Sequence, residues 1–190
     1  MPVVKPFKAV RPSRDKVALV SSKSYEAYTH AELGAKLDFN PFTFLHIINP
    51  GYKYHQKISE EQRFLMVHDR YKEFKKNRIF IKEKTPSFYI YEISDLNDTY
   101  CGIIAATSVE DFKNGVIKKH EGTIKKREVL FENYLKTTGF NAEPVLLMYE
   151  DDENFDKVIT TIKEARPEYE FSTTDKKLHR LWLVQNEQAI

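Results

Sequence analysis

The clearest hydrophobic period lies over residues 59–77. Phe64, Leu65, Val67, His68, Tyr71 and Phe74 recur at helical spacing. Ser59-Glu-Glu-Gln62 in front of them is a capping box, so the pattern predicts a helix that begins there and ends at Asn77. Thr29 with Glu32 repeats the same signature and predicts a helix over 30–37, stopped by Asn40-Pro41. Leu130, Phe131, Tyr134 and Leu135 form a third stripe, predicting a helix from Thr123 to about Thr138 with Gly139 as a left-handed stop. Phe155, Val158, Ile159 and Ile162 form a fourth, over 154–165.

Between these helices lie shorter apolar runs that read as strands. They fall at 17–20, 43–48, 79–82, 86–93, 100–107, 144–149, 169–173 and 178–184. In 86–93, Phe88, Ile90 and Glu92 fall on one face and Tyr89, Tyr91 and Ile93 on the other. Asn97-Asp98 turns that run back into 100–107 as a hairpin. His46 is expected as a half-buried imidazole inside the 43–48 strand. Asn49-Pro50-Gly51 signals a turn, and 109–114 a short helical turn. Pro2, Pro6 and Pro12 keep residues 1–14 extended, with Phe7 able to anchor in the core. The expected fold class is α+β: a mixed sheet with flanking helices, not a doubly wound parallel sheet.

With 190 residues, the chain predicts one domain. Asn186-Glu-Gln-Ala-Ile190 reads as a cap and first helical turn. The expectation is therefore the N-terminal portion of a longer α/β protein. The 30 basic and 28 acidic residues leave a net charge of +2, which argues against a DNA-binding face. No run reaches the roughly 20 apolar residues of a membrane span, and the first residues lack a signal core. Cys101 is the only cysteine, so no internal disulfide forms and a cytoplasmic location is expected. It sits in an apolar strand-like run, which predicts a packed thiol. Glu150-Asp-Asp-Glu153 reads as a solvated acidic surface.

Charge is unevenly spread. Gly115-Val-Ile-Lys-Lys-His-Glu-Gly-Thr123 runs into Ile-Lys-Lys-Arg127, and Lys113 stands just before it. The stretch leads into the 123–138 helix. A helix start offers amide hydrogens without internal partners and a partial positive charge. Gly122 lets backbone approach an anion, Thr123 adds a hydroxyl, and Lys126 with its neighbours adds charge. His120 and Glu121 alternate in direction along an extended segment. Glu121 is suited to act as a base on a hydroxyl or to hold Mg²⁺. Arg11, fixed in front of Pro12, is suited to grip a carboxylate or phosphate. A solvated helix start, with lysines serving solubility alone, is the competing reading. The chain carries no Walker A loop, dinucleotide glycine fingerprint, nucleophile elbow or metal-ligand spacing.

Six short stretches occur together in a recognisable order. They are Phe7-Lys-Ala-Val-Arg-Pro12, Asn40-Pro-Phe-Thr-Phe-Leu-His46, Phe88-Tyr-Ile-Tyr91, Gly115 to Thr123, Pro144-Val-Leu-Leu147 and His179-Arg-Leu-Trp182. In these the chain resembles a bacterial and archaeal family, domain-of-unknown-function family 1015. Where members usually show Pro-Tyr-Asp-Val, this chain has Lys23-Ser-Tyr-Glu-Ala27. Full-length members continue to an Asp-Gly-His-His-Arg motif similar to one in free-serine kinases of the ParB/sulfiredoxin-like superfamily; this chain contains no such motif. The resemblance implies a kinase-like parent that transfers phosphate from ATP or ADP, with Mg²⁺, to a hydroxyl such as that of free L-serine. By position it implies that His120, Glu121 and Thr123 line the substrate or phosphate pocket and that Arg11 clamps an anion. The alternative is a non-catalytic module that binds a nucleotide or phosphometabolite. A DNA partner, by analogy with ParB, is the reading that the net charge disfavours.

Overall fold

The computed structural model describes residues 2–50, 58–119, 122 and 124–185, with Tyr25 described by its backbone alone. It is mixed α+β, as the pattern predicts. The chain forms two compact units. One comprises Met1–Arg14, Lys82–Gly122 and Pro144–Ile190; the other comprises Asp15–Ile81 and Thr123–Glu143.

The first unit is built on a four-stranded antiparallel sheet. Strands β1 (Val4–Lys5) and β2 (Val10–Pro12) precede it, and β3 (Phe80–Lys82) spans the point where the chain passes between units. The sheet contains β4 (Phe88–Ser94), β5 (Thr99–Ile104), β7 (Tyr169–Ser172) and β8 (Leu178–Val184), in the order β5-β4-β8-β7. The hairpin falls where the sequence places it, with Glu92 opposite Cys101 and Tyr91 opposite Gly102. Strand β8 lies on the other side of β4, with Phe88 opposite Val184 and Ile90 opposite Trp182. Helix α7 (Glu153–Lys163) covers the face that carries those four residues. Ile159, Phe155 and Ile162 pack on them, and the Trp182 indole donates to the Ala165 carbonyl at 2.8 Å.

The N-terminal segment runs across the opposite face. Phe7 and Ser87 exchange backbone hydrogen bonds at 3.1 and 3.0 Å. The Tyr89 hydroxyl donates to the Phe7 carbonyl and accepts the Ala9 N–H, each at 3.1 Å. Strand β1 pairs with β6 (Ala106–Thr107), and Asp111 of α5 (Val109–Lys113) accepts the Val3 N–H at 2.6 Å.

The second unit is helical: α1 (Val17–Val20), a 3₁₀ turn (Tyr25–Ala27), α2 (His30–Phe39), α3 (Leu45–Ile48), α4 (Glu60–Lys76) and α6 (Lys125–Thr138). Both expected capping boxes form, at Thr29/Glu32 and at Ser59/Gln62. Gly139 ends α6 in the left-handed conformation, with φ at 75°. Its core gathers Leu45, Ile47, Leu37, Val67 and Phe74, with Phe74 and Phe80 ring centroids 5.5 Å apart.

Several expectations are corrected. Residues 17–20 and 45–48 form single helical turns, not strands. Four to six apolar residues carry no decisive period, and a turn satisfies its own backbone without a neighbouring strand. Asn40 caps α2 and holds the bend that follows: its side chain accepts the Phe42 N–H and donates to the Leu19 carbonyl. His46, half-buried as expected, therefore sits on a helix, its Nε2 3.1 Å from the Asn40 carbonyl. Residues 144–149 form no strand. Cys101 is exposed because β5 is an edge strand, not packed. Helix α6 starts at Lys125, and its expected inward stripe is half exposed, with Leu130 at 39% and Phe131 at 51%. The Gly51 end of the 49–51 turn and the expected helical turn at 186–190 lie outside the described residues.

Candidate functional site

The basic stretch begins at the end of α5. Ser108 caps this helix by accepting the Asp111 N–H, and Asn114 closes it. Gly115 then turns the chain with φ at 75°, a conformation that suits glycine. Two of the cations here are engaged. Lys113 pairs with Glu110 at 3.0 Å, and the Lys119 ammonium lies 4.6 Å from the centre of the Phe112 ring. His120, Glu121 and Thr123 lie outside the described residues. Gly122 is exposed, and a Cβ placed on it would meet nothing within 4 Å.

Beyond that point, α6 has an unusual start. Its N-cap is Ile124, whose side chain makes no capping hydrogen bond. The Ile124 carbonyl accepts from Arg127 and Glu128, at 2.8 and 3.1 Å. Lys125, Lys126 and Arg127 occupy the first turn and are exposed. Glu128 is the one acidic residue of that turn. Three cations at the positive end of a helix dipole are electrostatically reversed from the favourable arrangement. An anion at that end would relieve the repulsion and satisfy open amides.

Arg11 is engaged by residues of its own unit. Its Nε is 2.5 Å from Glu83, and its Nη1 is 2.9 Å from Glu168 and 2.5 Å from the Tyr169 hydroxyl. Tyr169 in turn donates to the Pro12 carbonyl. Burial disfavours the charge on Arg11, but Tyr169 and Glu83 outweigh it and hold the guanidinium protonated. The carboxylates that it grips belong to its own unit. The spacing at Arg11-Pro12 predicts a fixed guanidinium; partners 72 and more positions away were not legible.

Two further clusters of ionisable groups escaped sequence reading. Glu92 is buried in the sheet and receives Lys163 of α7 and Arg180 of β8, the latter at 3.3 Å; Arg180 also holds Glu170 of β7 at 2.7 Å. On the other face, the Tyr91 hydroxyl is 2.6 Å from His179 Nδ1, and His179 Nε2 is 3.3 Å from Thr173 Oγ1. The Thr173 hydroxyl donates to the Lys177 carbonyl, so Nε2 carries the hydrogen and Tyr91 donates to Nδ1. The Phe171 ring stacks on the imidazole with centroids 5.0 Å apart. Burial lowers the His179 pKa and raises that of Tyr91. An open depression along α7, lined by Glu153, Asp156, Lys157, Thr160 and Thr161, is the surface of one helix and encloses nothing.

Two of the quoted stretches, Phe88 to Tyr91 and His179 to Trp182, are thus the central paired strands of the sheet, and a third carries Arg11. These pieces build a scaffold: a mixed α+β protein with three exposed cations in the first turn of α6. The family model described as "Protein of unknown function (DUF1015)" matches residues 4–190, and the chain belongs to that family. No curated protein and no solved structure matches the chain. Among the described residues no helix is long and apolar enough to cross a membrane.

Proposed function

We propose that the start of α6 and the loop before it bind the phosphate of a nucleotide or phosphorylated metabolite, and that the protein transfers a phosphoryl group to a small hydroxylated substrate. The observation that carries this reading is the crowding of Lys125, Lys126 and Arg127 at a helix end without a side-chain cap. The choice of reaction follows the Asp-Gly-His-His-Arg motif of full-length family members, similar to one in free-serine kinases and missing from this chain, with ATP or ADP as donor, a hydroxyl such as that of L-serine as acceptor and the cytoplasm as the compartment.

In this reading Gly122, Thr123 and Lys126 are the phosphate-holding residues, and of the pair His120 and Glu121, which alternate in direction, Glu121 meets the substrate. Glu121 takes the hydroxyl proton as the acceptor oxygen approaches phosphorus. Catalysis rests on positioning and on charge that develops at the phosphoryl oxygens. The donor set at α6 fits a phosphate. Among the described residues no three His, Cys, Asp or Glu side chains gather to hold a metal. Mg²⁺, where bound, would neutralise phosphate charge, and Glu121 is the residue that would hold it in the alternative in which it does not act as the base.

The second reading is binding without turnover. It is favoured by Arg11, whose guanidinium is held by Glu83 and Glu168 and leaves less charge for a transferring phosphoryl group. Titration calorimetry with ATP and ADP, beside a coupled assay over amino acids and polyols, separates the two. Turnover lost in Glu121→Gln, with nucleotide binding retained, supports the kinase. Binding without turnover supports the module. No binding of either nucleotide ends both.

A further inference from the structure

We infer that the chain self-associates: the apolar and acidic segment 145–153 of one copy docks on the lobe that β1, β6 and α5 form on a second copy. The segment reads Val-Leu-Leu-Met-Tyr-Glu-Asp-Asp-Glu, with four carboxylates and no cation. Val145, Leu146 and Met148 are 82%, 88% and 89% exposed. Tyr149 meets the Phe155 ring of α7 at 5.5 Å, which ties the end of the apolar run to a helix. A continuous exposed apolar run with a charged flank marks a docking surface.

The lobe has the same exposure and the opposite charge. Val3 and Val4 of β1, Val109 and Phe112 of α5, and Val116 just beyond it are all exposed. The lobe is one piece: Val4 pairs with Thr107, the Ser108 N–H donates to the Val3 carbonyl at 3.2 Å, and the Val3 N–H reaches Asp111 at 2.6 Å. Helix α5 buries none of its residues, so its apolar side chains serve no core. Residues 2–5 and 106–119 hold four lysines and two carboxylates. Both carboxylates are engaged within the lobe, Asp111 by Val3 and Glu110 by Lys113 at 3.0 Å. Lys5, Lys118 and Lys119 stay exposed.

Segment and lobe belong to the same unit, and within it each is open to solvent. A second copy therefore brings the complement of both. Its carboxylates meet the lobe's ammonium groups, and apolar side chains of the two surfaces leave water together. In a two-fold pair each copy offers its segment and its lobe, so the contact is made twice. An anionic lipid surface would also suit the lobe, but it would leave the apolar run at 145–149 uncovered beside four repelled carboxylates.

Sedimentation velocity of the whole protein over the micromolar range tests this, and a dimer is the expected species. Lys118→Glu with Lys119→Glu on the lobe should weaken it about tenfold or more, because like charges then face each other. Glu150→Lys with Asp151→Lys on the segment should do the same. All four side chains are exposed, so circular dichroism of both variants should match the wild type. Mixing the two variants should restore wild-type affinity, since opposite charges meet again at both contacts. A monomer throughout the range would overturn the inference, as would a mixture no tighter than either variant alone. A monomer that floats with phosphatidylserine vesicles would also overturn it, because a lipid surface would then take the lobe.

Discussion

Arg180 stands directly opposite Glu92 on paired strands, its Nη1 3.3 Å from a carboxylate that is 4% exposed. The same guanidinium reaches Glu170 on the next strand, so one side chain spans β4, β8 and β7. A buried carboxylate costs desolvation, and here two cations and their hydrogen bonds offset it.

Glu92→Gln should therefore destabilise the protein by about 1–3 kcal/mol in urea unfolding at neutral pH. The effect should shrink in acid. Burial alone would raise the Glu92 pKa, but the bonds from Lys163 and Arg180 outweigh it and the net shift is downward. A carboxyl with a depressed folded pKa contributes its stability above the unfolded pKa. It loses that contribution as pH falls from the ordinary glutamate range through the depressed value. The wild type should lose more stability across that window than Glu92→Gln does.

His179 should titrate below the ordinary imidazole range, because burial disfavours its cation. Its neutral form also matches the Tyr91 donor at Nδ1 and the Thr173 acceptor at Nε2. The folded state resists the second proton, so stability falls as pH drops from the ordinary imidazole value through the lowered one. An NMR titration of His179 should show the low midpoint, and His179→Phe should flatten the pH dependence of the melting temperature in that window.

Core truncations should separate the expected stripes from the observed ones. Ile90→Ala removes a side chain with no exposure and should cost about 2–5 kcal/mol. Leu130→Ala, on the half-exposed side of α6, should cost about 1 kcal/mol or less. Equal losses in chemical denaturation would mean that α6 buries its stripe after all.

Arg11→Met should leave Glu83 and Glu168 without their shared cation and cost about 3 kcal/mol or more in thermal or urea unfolding. Nucleotide affinity, measured below the melting range, should stay within a few-fold of wild type. Lys126→Ala should do the reverse: stability unchanged within about 0.5 kcal/mol, and nucleotide affinity reduced.

Much of the fold was legible because its signals are local. Thr29 with Glu32, Ser59 with Gln62 and Gly139 each specify a helix end within four residues. Asn97-Asp98 specifies the hairpin likewise. The errors fell where local signals compete. The runs at 17–20 and 43–48 are too short to show a period, so the surroundings decided between turn and strand. Cys101 was misplaced because an apolar run does not reveal whether its strand is central or at an edge. The candidate site was legible as a concentration of charge, through Lys125, Lys126 and Arg127. The partners of Arg11 and Glu92, and Tyr91 against His179, were not, since they lie far along the chain from the residues they engage.

The Tyr89 hydroxyl joins the Phe7 carbonyl to the Ala9 amide, beside the main-chain bonds that Ser87 and Glu83 make to the same two residues. Position 89 thus discriminates between two side chains of almost equal bulk. Phenylalanine would fill the same space and leave the Ala9 amide without its acceptor, while the Phe7 carbonyl would keep the Ser87 N–H, so a single oxygen atom decides whether that amide is satisfied.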